Sequence, residues 1–321
     1  MGLMRATSIS ILLSIGISNA DALPCREVIK VFYRPEMNVA DSGSYSPSAG
    51  KPAQLMDYYR ANNAPTEIVS FPPLSPADFK VVHDSAYVDG IFNLTEKNGF
   101  GNRNPEIADS LRYTSASMLA AAREALKSGI AHSPTSGFHH AHTSCASGFC
   151  TFNGLALTAK ILLDEGAVRK VAIVDLDMHK GDGTDDILFR KDLEGRVFHF
   201  TAGREFYIRD QVPRYFEALE SLRNDIERTK PDLILYQAGA DPHIKDPLGG
   251  MLTTAEMMKR DEMIFKMARD FNIPIVWNLA GGYQIDSDGT LNPVLRLHYN
   301  TLLAAQGVYR ISEPEALSET P

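Results

Sequence analysis

Apolar residues along this chain alternate between short runs typical of strands and longer periodic stretches typical of helices. Residues 171–174 are four consecutive apolar residues, and so short a run without alternation is typical of a buried parallel strand. After Pro213, apolar residues recur on one helical face, at Tyr215, Leu219, Leu222 and Ile226. Strands thus alternate with helices from about residue 150 onward, which predicts right-handed βαβ units and a mostly parallel sheet.

The same two patterns predict the remaining elements. The other predicted strands cover residues 28–33, 197–201, 233–236 and 273–279, and the other helices 109–127, 155–163, 253–271 and 291–306. Asp109 is placed to cap the first of these helices, and Gly129 to end it. No internal repeat or linker interrupts the pattern. The sequence therefore predicts one α/β domain over residues 26–308, with an acidic tail at 309–321.

Composition narrows the class of protein. The chain has 321 residues, 44% of them hydrophobic and 22% charged, which is typical of a soluble globular protein. Its net charge is −8 and no block of Lys and Arg stands out, so nucleic-acid binding has no electrostatic support. The three cysteines, Cys25, Cys145 and Cys150, are too few for a disulfide framework and lack zinc-finger spacing.

The N-terminus has the layout of a secretory signal peptide. Arg5 precedes an apolar run at residues 9–17, and small residues follow up to residue 22. The run is too short to span a bilayer as a helix, so no membrane span is predicted. If residues 1–22 are a signal peptide, the protein is exported to a periplasm or secreted. The alternative is an N-terminal extension on a cytoplasmic protein.

The end of the central predicted strand carries unusual chemistry. Asp175, Asp177 and His179 follow each other at every second position, so in an extended chain their side chains leave on the same side. Two carboxylates and an imidazole at the carboxyl end of a strand suit a divalent cation, zinc first. The alternative is an ordinary polar strand end with capping aspartates.

Three further loops carry reactive residues. Asp241 follows the strand at 233–236, and a Gly281-Gly282-Tyr283 turn follows the strand at 273–279. The pair His139 and His140 precedes the central strand. Each has a plain explanation alone, as a cap, a turn or a surface pair. A parallel sheet nevertheless brings such loops to one edge, which predicts an active site at the carboxyl ends of the strands.

Together these motifs resemble those of one family, the zinc-dependent histone deacetylase and acetylpolyamine amidohydrolase superfamily, and bacterial and class IV members most. The resemblance covers residues 28–303 and implies the arginase/deacetylase-like fold, with its parallel sheet flanked by helices. The motifs that carry it are Gly137-Phe138-His139-His140, Gly148-Phe149-Cys150, Asp175-Leu176-Asp177-Met178-His179, Gly239-Ala240-Asp241 and Gly281-Gly282-Tyr283.

The resemblance implies a role for each matching residue. The implied metal ligands are Asp177, His179 and Asp241, for Zn²⁺ or for Fe²⁺ or Co²⁺ in its place. The implied catalytic residues are His139 and His140, oriented by Asp175 and Asp182, with Tyr283 as the electrophilic hydroxyl. The implied substrate-binding residues are Gly148, Phe149, Phe206, Tyr207, Leu248 and Gly281. A K⁺ ion near Asp175 is also implied.

Two departures from the family pattern affect this assignment. Lys180 stands beside a ligand where relatives commonly carry His or Gln, which leaves the tuning of that ligand open. The segment from residue 202 to residue 212 is shorter than in relatives, which predicts a low wall on one side of the pocket. The short segment also leaves open whether Phe206 or Tyr207 forms the second wall of the acyl tunnel.

The implied reaction is hydrolysis of an N-acyl amide by metal-activated water, because three protein ligands leave one position of a zinc site open. The implied substrates are acetyl-lysine in proteins or peptides, or small acetylated amines such as acetylpolyamines. An arginase-like binuclear manganese hydrolase would need more bridging carboxylates than this sequence supplies. A non-catalytic acyl-lysine binder would show damage to the ligands, the histidine pair or the tyrosine, and all are intact.

Overall fold

Alternate residues of the central strand face opposite sides of the sheet. In β4 (Val171–Asp175), Ala172 and Val174 pack into one apolar cluster, whereas Val171 and Ile173 pack into another. Because both faces of the strand are covered, neither face needs polar residues, and the run is therefore apolar throughout. The prediction of a buried strand here is confirmed.

The computed structural model describes residues 28–310, and these form a seven-stranded, wholly parallel sheet. Its strands lie in the order β2-β1-β3-β7-β6-β4-β5. The other six strands are β1 (Ile29–Phe32), β2 (Thr66–Val69), β3 (Ile130–His132), β5 (Val197–Thr201), β6 (Leu233–Gln237) and β7 (Ile275–Asn278). The predicted α/β fold with one parallel sheet is confirmed.

Helices cover the two faces of this sheet. One apolar cluster joins the sheet to α1 (Lys51–Ala61), α7 (Val212–Thr229), α8 (Thr254–Asp270) and α9 (Asn292–Tyr309). The opposite cluster joins it to α4 (Pro105–Ser128), α5 (Gly154–Asp164) and α6 (Asp182–Arg190). The short helices α2 (Pro76–Phe79) and α3 (Ser85–Phe92) pack on the outside of α5.

The structure corrects several sequence-based details. Helix α4 begins one turn earlier than predicted, because the Asn104 side chain accepts a hydrogen bond from the Glu106 amide at 2.8 Å, so Asp109 is not its cap. Gly129 ends this helix with φ +87°, as predicted. Strand β3 was not predicted because it has only three residues, and β2 because none of its four residues is buried, so it has no apolar run. Helix α6 was not predicted because it follows directly on the glycines of the central loop.

Two sequence-based assignments concern segments that the structure leaves undescribed. Residues 1–22, interpreted as a signal peptide or an extension, lie outside the described residues, as do residues 311–321 of the acidic tail. Between residues 28 and 310, no helix is both long enough and apolar enough to cross a membrane.

Candidate metal centre

The predicted site residues lie on loops at the carboxyl ends of four neighbouring strands. In the order of the sheet, His139 and His140 follow β3, Tyr283 follows β7, Asp241 follows β6, and the pair Asp177 and His179 follows β4. Strands β6 and β4 are in register, with Asp175 opposite Gln237, so their following loops leave the sheet side by side. This edge is where open parallel sheets bind their ligands.

Three side chains converge as the resemblance implied for a metal site. One ligand atom from each of Asp177, His179 and Asp241 lies within 4.8 Å of the others. His179 Nδ1 lies 3.2 Å from Asp177 Oδ1 and 3.0 Å from Asp241 Oδ2. The sequence analysis assumed an extended chain through Asp177 and His179, but β4 ends at Asp175. The chain then turns, and the Asp177 amide donates a hydrogen bond to Asp175 Oδ1. This turn brings Asp177 and His179 toward Asp241.

The charges of this triad fit a divalent cation. Asp177 and Asp241 are both buried, and burial together with the Asp177 carboxylate raises the pKa of Asp241 above its usual range. Hydrogen bonds to the same two carboxylates raise the pKa of His179 to about 11. Two buried carboxylates so close together can both be ionised only with a positive charge between them. Two carboxylates and one imidazole form a donor set for Zn²⁺, Fe²⁺ or Co²⁺ that leaves a coordination position open.

Glycines make room for these ligands. A Cβ on Gly281 would lie 2.2 Å from Asp241 Oδ2, and one on Gly239 would lie 2.8 Å from Asp177 Oδ2. The Gly281 amide also donates a hydrogen bond to Asp177 Oδ2 at 2.8 Å. The backbone therefore approaches both carboxylates more closely than any residue with a side chain would permit.

The two histidines stand beside the triad with a carboxylate behind each. His139 Nδ1 lies 2.8 Å from Asp175 Oδ2, and His140 Nδ1 lies 2.7 Å from Asp182 Oδ1. The ring centroids of the two histidines are 4.1 Å apart. Because each carboxylate accepts from Nδ1–H, it fixes the orientation of its imidazole and leaves Nε2 of each ring as the atom that can exchange a proton. The predicted pairings of Asp175 and Asp182 with the histidines are thus present.

The surroundings shift the pKa values of the two histidines in opposite directions. Burial opposes protonation of His139, but the carboxylates of Asp175, Asp177 and Asp241 outweigh it and raise its pKa to about 9. Burial, followed by the nearby charge of His139, lowers the pKa of His140. A cation bound by Asp177 and Asp241 would neutralise these two carboxylates, so that Asp175 alone would still raise the pKa of His139.

Tyr283 faces the same space from the β7 loop. Its amide donates to Asp246 Oδ2 at 2.7 Å, and its ring lies 5.9 Å from the ring of Phe149. Burial and the neighbouring carboxylates, Asp177 first, raise the pKa of the phenol. The hydroxyl therefore keeps its proton at neutral pH and can donate a hydrogen bond.

A cavity of about 120 Å³ joins these groups. Two ligands, both histidines of the pair and Tyr283 line it, together with four of the six predicted substrate-binding residues, Gly148, Phe149, Leu248 and Gly281. Gly148 has φ +50°, and a Cβ there would lie 2.4 Å from the His140 ring. Only glycine permits this close approach of the loop to the catalytic pair.

The other two predicted substrate-binding residues lie elsewhere, which corrects the prediction for the second wall. Phe206 is only 5% exposed and packs edge-on against Tyr215 of α7, with ring centroids 5.5 Å apart. Tyr207 is 50% exposed, its hydroxyl donates to the Gly203 carbonyl, and it does not line the cavity. The short segment after β5 coils at once into a helical turn, which directs Phe206 into the core.

Two surface details near the site follow from the structure. Tyr45 is 78% exposed and lies edge-on against Phe149, with ring centroids 5.2 Å apart, so it extends the aromatic wall outward. No motif marks Tyr45, which lies in a serine-rich loop. The Lys180 ammonium pairs with Asp185 of α6, with Nζ 3.2 Å from Asp185 Oδ2.

The K⁺ ion expected near Asp175 stays a prediction. Asp175 Oδ2 is engaged by His139, and Asp175 Oδ1 accepts from the Asp177 amide at 3.1 Å and from Gln237 Nε2 at 3.4 Å. With both carboxylate oxygens engaged, a monovalent cation here would depend largely on main-chain carbonyls.

A buried arginine, which the sequence did not single out, connects the two ligand loops. Arg260 of α8 donates from Nη1 to the Leu176 carbonyl at 3.2 Å and to the Gly239 carbonyl at 2.7 Å. Its Nε donates to Asp261 Oδ1 at 2.8 Å, and Thr301 Oγ1 donates to Asp261 Oδ2 at 2.6 Å. Because Leu176 precedes Asp177 and Gly239 is near Asp241, one guanidinium joins the main chains of the two segments that carry the ligand carboxylates.

We expect Arg260→Lys to lower zinc affinity on the order of 10–100-fold, as changes to groups that orient metal ligands typically do. The substitution keeps the charge beside Asp261 but loses the planar fork that reaches two carbonyls. Chelator competition measures the affinity, and Arg269→Lys, at an exposed position of the same helix, is the matched control. Unchanged zinc affinity in folded Arg260→Lys protein would show that Arg260 serves only the core.

Comparisons with known proteins agree with this geometry. A family model described as the histone deacetylase domain matches residues 49–207 and 208–293. Histone deacetylase 2 of Arabidopsis thaliana is 30% identical over 186 residues, covering 53% of this chain and 48% of that protein. The chloroplastic histone deacetylase 14 of the same plant is 28% identical over 266 residues, covering 69% of this chain and 63% of that protein.

The fold also has a solved counterpart. The crystal structure of an acetylpolyamine aminohydrolase from Burkholderia pseudomallei matches with a TM-score of 0.69 and 17% identity, covering 87% of this chain and 99% of that one. The chain spans about half the length of the curated relatives it matches. Because the family model matches well over half of the residues, the chain belongs to the histone deacetylase domain family.

Proposed function

We propose that this protein is a zinc-dependent deacylase that hydrolyses the side-chain amide of acetyl-lysine in proteins or peptides. One observation carries the proposal: two members of a three-ligand triad, a carboxylate-backed histidine pair and a protonated phenol line one cavity, and the third ligand, Asp241, lies directly behind them. These are the parts that hydrolysis of an amide requires, namely activation of water, proton transfer and stabilisation of an oxyanion. Asp177, His179 and Asp241 would hold the zinc.

The residues of the chain divide the proton transfers between them. When bound, zinc supplies Lewis-acid polarisation of the amide carbonyl and lowers the pKa of water. His140 accepts the proton of the attacking water at Nε2, since its Nδ1–H is engaged by Asp182. His139, held by Asp175, carries the proton for the leaving amine. The Tyr283 hydroxyl donates to the carbonyl oxygen as negative charge develops there.

The walls of the cavity support acetyl-lysine over a polyamine. An acetylated polyamine keeps further ammonium groups, and a site for it would place carboxylates where they meet those charges. Among the described residues that line this cavity, the only carboxylate is Asp177, which is a proposed ligand. The outer wall is built instead from Phe149, Leu248 and the exposed Tyr45, which suit the alkyl chain of lysine and a neighbouring peptide backbone.

We therefore expect kcat/KM for an acetyl-lysine peptide to exceed that for acetylspermidine by at least about tenfold, or roughly 1.4 kcal/mol in barrier height. Zinc-reconstituted protein assayed for acetate release on both substrates measures this ratio, with Asp177→Asn protein as the blank. A tenfold preference for the polyamine would reverse the substrate assignment and leave the reaction type intact.

Two other functions receive less support. A binuclear manganese hydrolase needs a second set of bridging carboxylates, and within residues 28–310 the clustered ligands form one group of three. A binder without activity needs no proton donors, yet both histidines keep their carboxylates and Tyr283 keeps a protonated hydroxyl. Acetate release by the zinc-loaded protein separates the deacylase from both alternatives.

A further inference from the structure

A buried lysine lies behind the turn that carries Tyr283. Lys51 is the first residue of α1 and is 0% exposed. Its Nζ donates to the Ala280 carbonyl at 2.8 Å and to Ser136 Oγ at 3.2 Å. The same Nζ lies 5.8 Å from the centroid of the Tyr283 ring. A charged side chain from the opposite end of the sequence is thus built into the support of the proposed oxyanion donor.

The residue that this lysine contacts is held in an unfavourable conformation. Ala280 has φ +58°, in the left-handed region, where a residue with a Cβ is stable only if its surroundings hold it. Ser136 Oγ also donates to the Ala280 carbonyl, at 2.7 Å. We call the side chains of Lys51 and Ser136 the Ala280 clamp. Ala280 opens the turn that runs through Gly281 and Gly282 to Tyr283, so the clamp acts at the origin of that turn.

Burial of an ammonium group costs desolvation free energy, and at Lys51 the hydrogen bond to the Ala280 carbonyl is what an apolar side chain could not replace. Among the described residues, no carboxylate lies within ion-pair distance of Lys51. Burial lowers its pKa to about 8, and the attraction of Asp241, Asp177 and Asp246 offsets part of that shift. An apolar residue of similar size would fill the space at lower cost. It would not reach the Ala280 oxygen with a hydrogen bond.

The rest of the turn is fixed by contacts that also set the site. The Gly281 amide donates to Asp177, the Gly281 carbonyl accepts from the Ala240 amide at 2.9 Å, and the Tyr283 amide donates to Asp246. These contacts tie the turn to the ligand loops on one side. On the other side, the Ala280 clamp joins the turn to α1 through Lys51 and, through Ser136, to the loop after β3 that carries His139 and His140.

We propose that Lys51 is a positioning residue, which, with Ser136, holds the Ala280 carbonyl so that the Tyr283 hydroxyl stays over the reacting carbonyl. This inference rests on the proposed function, because it assigns Lys51 a role through the proposed oxyanion donor. Lys51 itself touches neither substrate nor metal. Removal of the Lys51 ammonium should therefore lower kcat by no more than removal of the Tyr283 hydroxyl does.

A double-mutant cycle with Tyr283→Phe tests this role. Lys51→Met keeps most of the side-chain volume and removes the donor. We expect it to lower kcat on an acetyl-lysine peptide on the order of 10–100-fold when Tyr283 is present, and less than about threefold in the Tyr283→Phe background. KM and zinc content should stay near the wild-type values. Equal loss of kcat in both backgrounds, or no loss in either, would overturn the assignment.

A second readout does not depend on activity. We expect hydrogen exchange of the amides in residues 279–284 to accelerate at least about tenfold in Lys51→Met, while exchange in α9 stays unchanged. Unchanged exchange in the turn would contradict the clamp even if the wild type proved to have no hydrolase activity. If Lys51→Met does not fold, Ser136→Ala removes the other donor to the same oxygen and is judged by the same two criteria.

Discussion

Replacing Asp177 or Asp241 by Asn should abolish zinc binding and bring deacylase activity below detection, while the protein stays folded. The amide keeps the shape of the carboxylate but removes the negative charge and the strong oxygen donor that the metal requires. Both side chains are buried members of the triad, and among the described residues no fourth carboxylate belongs to this ligand group. We expect zinc affinity to fall by more than the roughly 100-fold typical of changes to groups that only orient ligands.

Metal analysis of each variant after zinc loading, together with circular dichroism, measures this loss directly. Asp225→Asn is the matched control, because Asp225 lies on the outer surface of α7 in an exposed ion pair with Arg228. Full zinc occupancy in either ligand variant would contradict the assignment of the triad. Unfolding of the metal-free variants would instead show that the carboxylates are needed for the fold itself.

Tyr283→Phe should lower kcat on the order of 10²–10³, about 3–4 kcal/mol, with little change in KM or zinc content. The substitution keeps the ring contact with Phe149 and removes the hydroxyl alone. Because the hydrogen bond strengthens as the carbonyl becomes an oxyanion, it stabilises the transition state far more than the bound substrate. The loss should therefore appear in kcat rather than in KM.

Tyr207→Phe serves as the matched control for this prediction. Tyr207 was expected at the tunnel wall, but its hydroxyl bonds the Gly203 carbonyl and it does not line the cavity. We expect its removal to change kcat less than about threefold, since surface substitutions away from a site rarely have large effects. If Tyr283→Phe keeps wild-type kcat, another group stabilises the oxyanion. If it loses zinc, the loop after β7 serves the metal rather than the substrate.

Much of the site was predictable because its chemistry lies at strand ends. An apolar run such as residues 171–174 predicts a buried strand, and polar residues directly after it must lie at the carboxyl edge of the sheet, where such folds bind their ligands. The resemblance of the ordered motifs to those of the family then implies a role for each motif residue, from His139 and His140 to Tyr283. The structure brings Asp177, His179, the histidine pair and Tyr283 together around one cavity, which Gly148, Phe149, Leu248 and Gly281 also line.

Other parts of the site could not be predicted, because they depend on packing over long sequence distances. Lys51 bonds the carbonyl of Ala280, 229 residues away, and Arg260 bonds that of Leu176, 84 residues away. Main-chain carbonyls leave no mark on the sequence, so neither contact has a motif. Phe206 was misplaced for a related reason: a short loop allows either direction for its side chain, and packing against Tyr215 determines which one is taken.

Zinc-dependent hydrolysis of an acetyl-lysine peptide is the most direct test of the proposed function. Protein stripped of metal and reloaded with one equivalent of zinc is incubated with the peptide, and acetate and free lysine are both quantified. We predict equimolar release of the two products, in proportion to bound zinc, lost on chelation and restored by adding zinc. Fully zinc-loaded protein that binds the peptide but releases no acetate would contradict the proposal, as would acetate release that chelation leaves unchanged.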